Sequence, residues 1–199
     1  MPNWVDNRLI VTAAKEDQRP ALDAFFKVSL CRNDADEDAL TFGGILPVPS
    51  EFKDCYSWPR IEDQEGVGED FNMTAEEDAL LRQKHGVNCG YDWCCKYWGT
   101  KWDACDSSMT RKDPDTVVAV FNTAWSEPKP FFKEASLLYP TLVFRAMWYG
   151  EENDDGELEY RKGELVYEGH GQFLSNDLDP DQVNDLREER LIARKVNSQ

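Results

Sequence analysis

Apolar and polar residues alternate with a period of two at the start of the chain, which predicts a β-strand over residues 3–12. The next segment, residues 16–30, places apolar side chains three or four positions apart, as in an amphipathic helix that packs on a sheet. Pro20 suits the first turn of that helix, where no backbone N–H is needed. Residues 40–45 predict a second strand that ends before two prolines. The chain therefore opens with a β-α-β arrangement.

The middle of the chain combines an acidic loop with two short helices. Residues 50–73 are polar and rich in turn-forming residues, which predicts a solvated loop. Thr74 and Glu77 have the spacing of a capping box, so a helix is expected over residues 75–84. A second helix is expected over residues 91–98, where a glycine ends it.

The second half alternates strand and helix again. Residues 116–124 are almost entirely apolar and β-branched, which predicts a central strand covered on both faces. The helix that follows should start at Ser126 and Pro128 and bury Phe131, Phe132, Ala135 and Leu138. The remaining expected elements are a strand over 141–149, an acidic turn over 151–156, a returning strand over 158–167 and a last helix that begins near Asp179.

Two β-α-β halves joined by a helical segment predict an α+β fold with a mainly antiparallel sheet and helices on one face. The order of elements is compatible with a ferredoxin-like topology. We assign residues 1–170 to this domain, with a helical insertion at about 50–100, and residues 171–199 to a C-terminal helix and tail.

Acidic residues dominate the composition and narrow the classes of partner. The 199 residues include 22 Lys plus Arg and 39 Asp plus Glu, a formal net charge of −17. This charge opposes binding to nucleic-acid phosphates and to anionic membranes, so neither is expected. It favours a partner protein with a basic surface.

Sequence features also predict a cytoplasmic location. The sequence has no run of about 18 apolar residues, so no membrane span is expected. The N-terminus lacks the basic and apolar regions of a secretory signal. Six cysteines without such a signal are most simply reduced thiols, as in cytoplasmic proteins.

Tryptophan-rich motifs are the most distinctive part of the sequence. Trp98-Gly99-Thr100-Lys101-Trp102 follows a predicted helix, and Thr123-Ala124-Trp125-Ser126 ends a predicted strand. Indole rings at such positions are typical of a packed corner, in which a lysine can lie over a ring. They could instead form a stacking platform for a base or a peptide. The candidate binding residues of this motif are Trp98, Lys101, Trp102 and Trp125.

The tryptophan motifs occur together with Met1-Pro2-Asn3-Trp4, Phe42-Gly43-Gly44-Ile45-Leu46-Pro47-Val48-Pro49 and Tyr91-Asp92-Trp93. In this order, and over roughly residues 1–170, the chain resembles the YubB ferredoxin-like family, which is found in bacteria, plasmids and phages. The resemblance implies a ferredoxin-like fold and an origin in a mobile genetic element. It supplies no catalytic residue.

Thiols and one imidazole form the second candidate site. The group that falls between positions 85 and 105 is His85, Cys89, Cys94, Cys95 and Cys105. Four such ligands could bind zinc in a tetrahedron, but the paired Cys-x2-Cys spacing of a zinc knuckle is missing. Buried free cysteines that pack as small apolar residues are the other interpretation.

Catalytic motifs are missing from the sequence. It contains two histidines and no Gly-x-Ser-x-Gly elbow, and Gly66-Val67-Gly68 lacks the lysine of a phosphate loop. We therefore expect no enzymatic activity and no cofactor.

Two acidic runs complete the candidate residues. They are Glu62, Asp63, Glu65, Glu69 and Asp70 in the first, and Glu151, Glu152, Asp154 and Asp155 in the second. These runs are either solvated loops or a surface that imitates the phosphate track of nucleic acid.

The favoured hypothesis is a non-enzymatic acidic binding protein of a phage or plasmid. It would occupy the basic groove of a host nucleic-acid-binding or defence protein, as an anti-defence factor. The alternatives are a zinc-binding protein or enzyme that uses the thiol group, and a nucleic-acid-binding module that uses the tryptophan motifs.

Overall fold

A computed structural model describes residues 3–33, 35–52, 60–61, 72–150 and 155–170. In chain order its strands and helices are β1 (Trp4–Ala13), α1 (Arg19–Ser29), β2 (Leu30–Arg32), β3 (Asp38–Leu40), β4 (Arg60–Ile61), β5 (Asn72–Met73), α2 (Ala75–His85), α3 (Gly90–Tyr97), β6 (Cys105–Asp113), β7 (Thr116–Ala124), α4 (Lys129–Leu138), β8 (Leu142–Tyr149), β9 (Asp155–Arg161) and β10 (Glu164–His170).

An antiparallel sheet of six strands organises the fold, in the order β10-β9-β8-β1-β7-β6. Strand β1 lies at its centre, between β7 and β8. Without the segment between α1 and β6, the first four strands and two helices follow the β-α-β-β-α-β order of a ferredoxin-like fold. The predicted α+β class with a ferredoxin-like antiparallel sheet is therefore confirmed.

The core lies between one face of this sheet and helices α1 and α4. Alternate residues of β1, such as Leu9 at 1% exposure, point to this face because neighbouring residues of a strand point to opposite sides. Phe25 of α1 meets Phe144 of β8 edge to face, with ring centroids 5.4 Å apart. Phe131 and Phe132 of α4 are fully buried on the same side of the molecule. The edge-to-face contact fixes α1 on the sheet, and burial of the two phenylalanines packs α4 into the same core.

The start of α2 and the end of α3 lie where the capping residues predict them. Thr74 and Glu77 form the expected capping box at the start of α2. Helix α3 ends before Gly99, whose φ of 82° is easily adopted only by glycine.

The strand predicted over residues 40–45 is wrong. Strand β3 ends at Leu40 and pairs with β2 in a separate two-stranded sheet, and the following residues form turns. Asp103 holds these turns, because its carboxylate accepts hydrogen bonds from the backbone N–H of Phe42 at 2.6 Å and the hydroxyl of Thr41 at 2.7 Å. Gly44 packs so closely on α1 that an added Cβ would overlap the carbonyl of Val28.

Three further predictions need correction. Strand β7 alternates between buried and partly exposed residues, so it is covered on one face and not on both. The returning strand over 158–167 is two strands, β9 and β10, joined by a turn in which Lys162 and Gly163 have positive φ. Leu138 is 56% exposed instead of buried, because it lies at the end of α4.

The sequence gives no sign of strand β6, because this edge strand has mostly polar side chains and no apolar period. The predicted last helix near Asp179 lies outside the described residues, as do most of the acidic turn over 151–156 and residues 62–70.

Candidate functional site

Tryptophan, tyrosine and lysine side chains meet at one end of the main sheet, where β1 begins and β7 ends. We call this cluster of five residues the aromatic corner, and it consists of Trp4, Tyr91, Lys101, Trp102 and Trp125. Tyr91 lies in α3 and Trp4 in β1, while Lys101 and Trp102 lie in the segment between α3 and β6. The corner therefore joins the ferredoxin-like sheet to the helical segment between α1 and β6.

A buried layer of indoles supports the aromatic corner. Trp93 and Trp98 are 7% and 4% exposed and meet edge to face, with ring centroids 5.6 Å apart. The indole N–H of Trp98 donates to the carbonyl of Leu46 at 2.9 Å. The packed-corner interpretation therefore holds for these two residues. Trp98, a predicted binding residue, lies in the core and does not form part of an open surface.

Lys101 lies over three aromatic rings at once. Its Nζ is 4.7 Å from the ring centroid of Trp102, 5.4 Å from that of Trp125 and 5.8 Å from that of Tyr91. All three distances are within the 6 Å or so that cation–π attraction requires. Within the described part of the chain, its ammonium forms no ion pair with a carboxylate. The rings thus supply the electrostatic partner that a carboxylate usually supplies.

Trp125 is the most exposed ring of the corner and has an unusual backbone. Its side chain is 49% exposed and its φ is 74°. A bulky residue in this left-handed region costs about 1–3 kcal/mol, and such strain is concentrated at functional sites. The backbone N–H of Trp125 donates to the carbonyl of Asn3 at 2.8 Å, which helps to hold it there.

Hydrogen bonds on both sides of Trp125 hold this conformation. Thr100, which is 2% exposed, both donates to the carbonyl of Ala124 and accepts its N–H, each at 3.1 Å. The hydroxyl of Ser126 donates to the carbonyl of Gly99 at 2.8 Å. These contacts tie the end of β7 to the segment that carries Lys101.

A second chain of hydrogen bonds reaches into the core from the same place. The fully buried side-chain amide of Asn7 donates to the hydroxyl of Thr123 at 2.8 Å. That hydroxyl donates in turn to the carbonyl of Ser126 at 2.8 Å. Asn7 interrupts the apolar pattern of β1 because it supplies this polar contact, which stabilises the turn after Trp125.

The predicted group of thiols is dispersed. Among the residues that the structure describes, no three His, Cys, Asp or Glu side chains are close enough to bind one metal ion. Cys89 caps α3 through a hydrogen bond from the backbone N–H of Asp92, whereas the ring of His85 packs against Phe52. Cys94 is 1% exposed, and burial raises the pKa of its thiol to about 12.

Burial also raises the pKa values of Cys95 and Cys105. A raised pKa keeps a free thiol protonated, and a protonated thiol is a poor nucleophile. Cys89 and Cys94 are buried, as the second interpretation expects of cysteines that pack as small apolar residues, whereas Cys95 and Cys105 are half-buried.

The acidic candidate residues are mostly outside the described ranges, which leaves only Asp155 at the start of β9. Two further carboxylates of β9 are buried, Glu157 at 4% and Glu159 at 6% exposure. Glu159 accepts hydrogen bonds from Arg145 at 2.6 Å and Arg161 at 2.5 Å, and these two guanidinium groups outweigh burial and lower the pKa of its carboxyl group. This arrangement stabilises β8 and β9 and leaves little of the Glu159 carboxylate open to a partner.

Tyr91 and Trp4 are the residues of the corner that sequence reasoning missed as binding candidates. Both occur in the motifs Tyr91-Asp92-Trp93 and Met1-Pro2-Asn3-Trp4. The ring centroids of Tyr91 and Trp125 lie 6.3 Å apart. Spacing along the chain gives no sign of this contact, because 33 residues and two strands separate the two residues.

Residues 97–185 match the family model described as the ferredoxin-like domain in Api92-like protein. This stretch contains Lys101, Trp102 and Trp125, whereas Tyr91 and the central strand β1 lie before it. Among solved structures the chain is similar to the crystal structure of a protein api92 from Yersinia pseudotuberculosis. That likeness has 10% sequence identity and a TM-score of 0.46, and it covers 87% of this chain and 99% of the other. No curated protein matches the chain. Within the described residues, every helix is too short or too polar to span a bilayer.

Proposed function

We propose that this protein is a non-enzymatic binding protein and that the aromatic corner is its contact with a partner protein that has a basic surface. The observation that carries the proposal is Trp125, which is 49% exposed and held at a φ of 74°. A fold that keeps a large indole half in water, at a cost in backbone strain, favours a role outside folding.

Trp125 has the properties of an interface hot spot. Tryptophan, tyrosine and arginine dominate the binding energy of protein interfaces, and the strongest residues lie in rigid, well-packed surroundings. Lys101 and Tyr91 pack against Trp125, and hydrogen bonds hold the backbone on either side of it. Little side-chain freedom would be lost on binding, which reduces the entropic cost of association.

Electrostatic attraction favours a basic partner both at long range and at direct contact. The net charge of −17 attracts basic proteins over a distance of about one Debye length and speeds their association. At contact, the exposed face of an indole attracts arginine or lysine side chains of the partner through cation–π interaction. The same net charge disfavours nucleic acid as the direct ligand.

The proposal includes the origin of the protein, its target and its location in the cell. The resemblance of the motifs to the YubB ferredoxin-like family supports an origin in a phage or plasmid. Acidity supports a host nucleic-acid-binding or defence protein as the target, whose basic groove the protein would occupy. We place the protein in the cytoplasm, where such a target is found, as an inhibitor without catalytic activity.

Capture of partners from a bacterial lysate tests this proposal. Tagged wild-type protein and the variants Trp125→Ala and Leu80→Ala are compared at low and high salt, with circular dichroism as a check of folding. Leu80 is the matched control because it is also an exposed large apolar residue, at 62%, but lies on α2.

The wild type and Leu80→Ala should capture the same basic protein at low salt, and Trp125→Ala should capture at least about tenfold less, as expected for loss of a hot spot. High salt should weaken capture by all three proteins, because the long-range attraction is screened. Equal capture by Trp125→Ala and Leu80→Ala would exclude the aromatic corner as the contact.

A further inference from the structure

The geometry points to a ligand class for the aromatic corner: we infer that the rings of Tyr91, Trp102 and Trp125 form a cage for a quaternary ammonium group, in which Lys101 is an internal occupant. The cage itself is independent of any partner. Only the idea that a partner supplies the cation rests on the proposed function.

Three rings from separate parts of the chain surround one cation. They come from α3, from the segment before β6 and from the end of β7, and their centroids lie 4.7 to 5.8 Å from Nζ of Lys101. Cages of this kind recognise choline and methylated lysine, because the ring faces carry negative potential. Trp4 packs against one ring of the cage, with its ring centroid 6.1 Å from that of Trp102.

A primary ammonium is not the cation that best fits these rings. Lys101 has three N–H donors, which aromatic faces satisfy poorly and water satisfies well. Within the described residues its ammonium has neither a carboxylate nor a hydrogen-bond acceptor as partner. A trimethylammonium group has no N–H donor and is weakly hydrated, so it loses less on leaving water and covers more ring surface.

Lys101 controls access to the cage by competition. Its ammonium is tethered to the chain, so its effective concentration at the rings is in the millimolar range or above. An incoming cation binds only when the lysine side chain swings out towards solvent, and its apparent affinity falls in proportion to the time that the cage is empty. Removal of the lysine side chain should therefore strengthen binding of an external cation.

Choline and its neutral carbon isostere, 3,3-dimethylbutan-1-ol, are the probes that separate charge from shape. Each is titrated into the wild type, Lys101→Ala and Lys27→Ala, while the indole N–H signals are followed by NMR. Lys27 is a suitable control because it is an exposed lysine of α1 on another part of the molecule. Lys101→Met serves as a second variant that keeps an aliphatic side chain for packing.

Choline should bind Lys101→Ala about tenfold more tightly than the wild type or Lys27→Ala, if the lysine occupies the cage about 90% of the time. The alcohol should bind no variant at comparable concentration, and Trp125→Ala in the Lys101→Ala background should lose choline binding. If folded Lys101→Ala and Lys101→Met both fail to bind choline better than the alcohol, the cage is refuted.

The source of the cation is decided by a peptide that contains trimethyl-lysine and its unmodified counterpart. Preference for the modified peptide over choline would assign the site to a methylated protein, whereas equal binding of choline and modified peptide would assign it to the free cation. Choline binding without capture of a basic protein would support the cage and overturn the proposed partner. Capture that depends on Trp125 without choline binding would do the reverse.

Discussion

Replacement of Thr100 by valine should destabilise the fold, because this one side chain fastens the segment that carries Lys101 to the end of β7. Thr100 is 2% exposed, and its hydroxyl makes two hydrogen bonds of 3.1 Å to the backbone of Ala124, one as donor and one as acceptor. Valine has nearly the same shape, so the substitution removes the hydrogen bonds and leaves little change in volume.

The expected cost follows from these two bonds. A neutral intramolecular hydrogen bond contributes about 1 kcal/mol, and each buried polar group left without a partner costs about 1–3 kcal/mol. Valine leaves both the N–H and the carbonyl of Ala124 without this partner, while its greater apolarity offsets part of the loss. We therefore expect the free energy of unfolding to fall by about 2–4 kcal/mol.

Urea unfolding, followed by circular dichroism and tryptophan fluorescence, measures this change. With a slope of about 2–3 kcal/mol per molar urea, the midpoint should fall by about 1 M. Thr110→Val is the matched control because Thr110 is exposed on the edge strand β6, where a change within about 0.5 kcal/mol is expected. If Thr100→Val unfolds at the same urea concentration as Thr110→Val, the two hydrogen bonds of Thr100 do not stabilise the fold.

Three further predictions concern stability and the accessibility of one thiol. Gly99→Ala should lower the free energy of unfolding by about 2–5 kcal/mol, because φ is 82° and an added Cβ would lie 2.4 Å from the ring of Pro130. Gly43→Ala, where the added Cβ has contacts of 3.4 Å or more, should lower it by less than half as much, and equal losses of stability would contradict this. Arg19 lowers the pKa of Asp115, so this pair stabilises the native state above the ordinary pKa of 3.8, and the contribution is lost as pH falls through the lowered value. Asp115→Asn should therefore unfold with a weaker dependence on pH below about 4 than the wild type, and an unchanged dependence would exclude the pair as a cause. Cys94, with a pKa raised to about 12, should react with iodoacetamide at pH 8 at least about 100-fold more slowly in the native protein than in urea, and mass spectrometry that finds equal rates would show that the thiol is accessible.

Elements with a clear apolar period were predictable from the sequence. Strand β1 and helix α1 appear within a few residues of their predicted bounds, because one face of each packs on the core and selects apolar side chains. The ends of α2 and α3 were predictable for a different reason. A capping threonine and a glycine with positive φ act through local backbone chemistry, which does not depend on the rest of the fold.

Elements whose stability comes from distant partners were not predictable. Strand β6 is polar and is recognised only by its pairing with β7. The short strand β3 was placed incorrectly because its partner β2 follows α1 directly, and neither strand joins the main sheet. For β9 and β10, a turn at Lys162 and Gly163 was hidden within one apparently continuous strand pattern.

The candidate site was predictable in its residue types and not in its geometry. The cation–π contact of Lys101 with a neighbouring indole was anticipated, since Trp102 is adjacent in the sequence. Its contacts with Tyr91 and Trp125 depend on where α3 and β7 end in space, and no local pattern encodes that.

The aromatic corner is composite, and this has a consequence for how it responds to binding. Tyr91 lies in α3, whereas Trp125 directly follows β7 of the sheet, and Thr100 and Gly99 connect the two through hydrogen bonds to either side of Trp125. A cation that pulls the three rings together therefore stabilises the packing of α3 on the sheet, since binding to the native state alone raises the free energy of unfolding. Choline at 100 times its dissociation constant should raise the free energy of unfolding of Lys101→Ala by about 2.7 kcal/mol, whereas Trp125→Ala in the Lys101→Ala background should show no such increase. If Trp125 alone bound choline, the stabilisation by choline would persist after Tyr91 is replaced by alanine. If the cage binds choline, the same replacement should abolish the stabilisation, because the cage requires both rings.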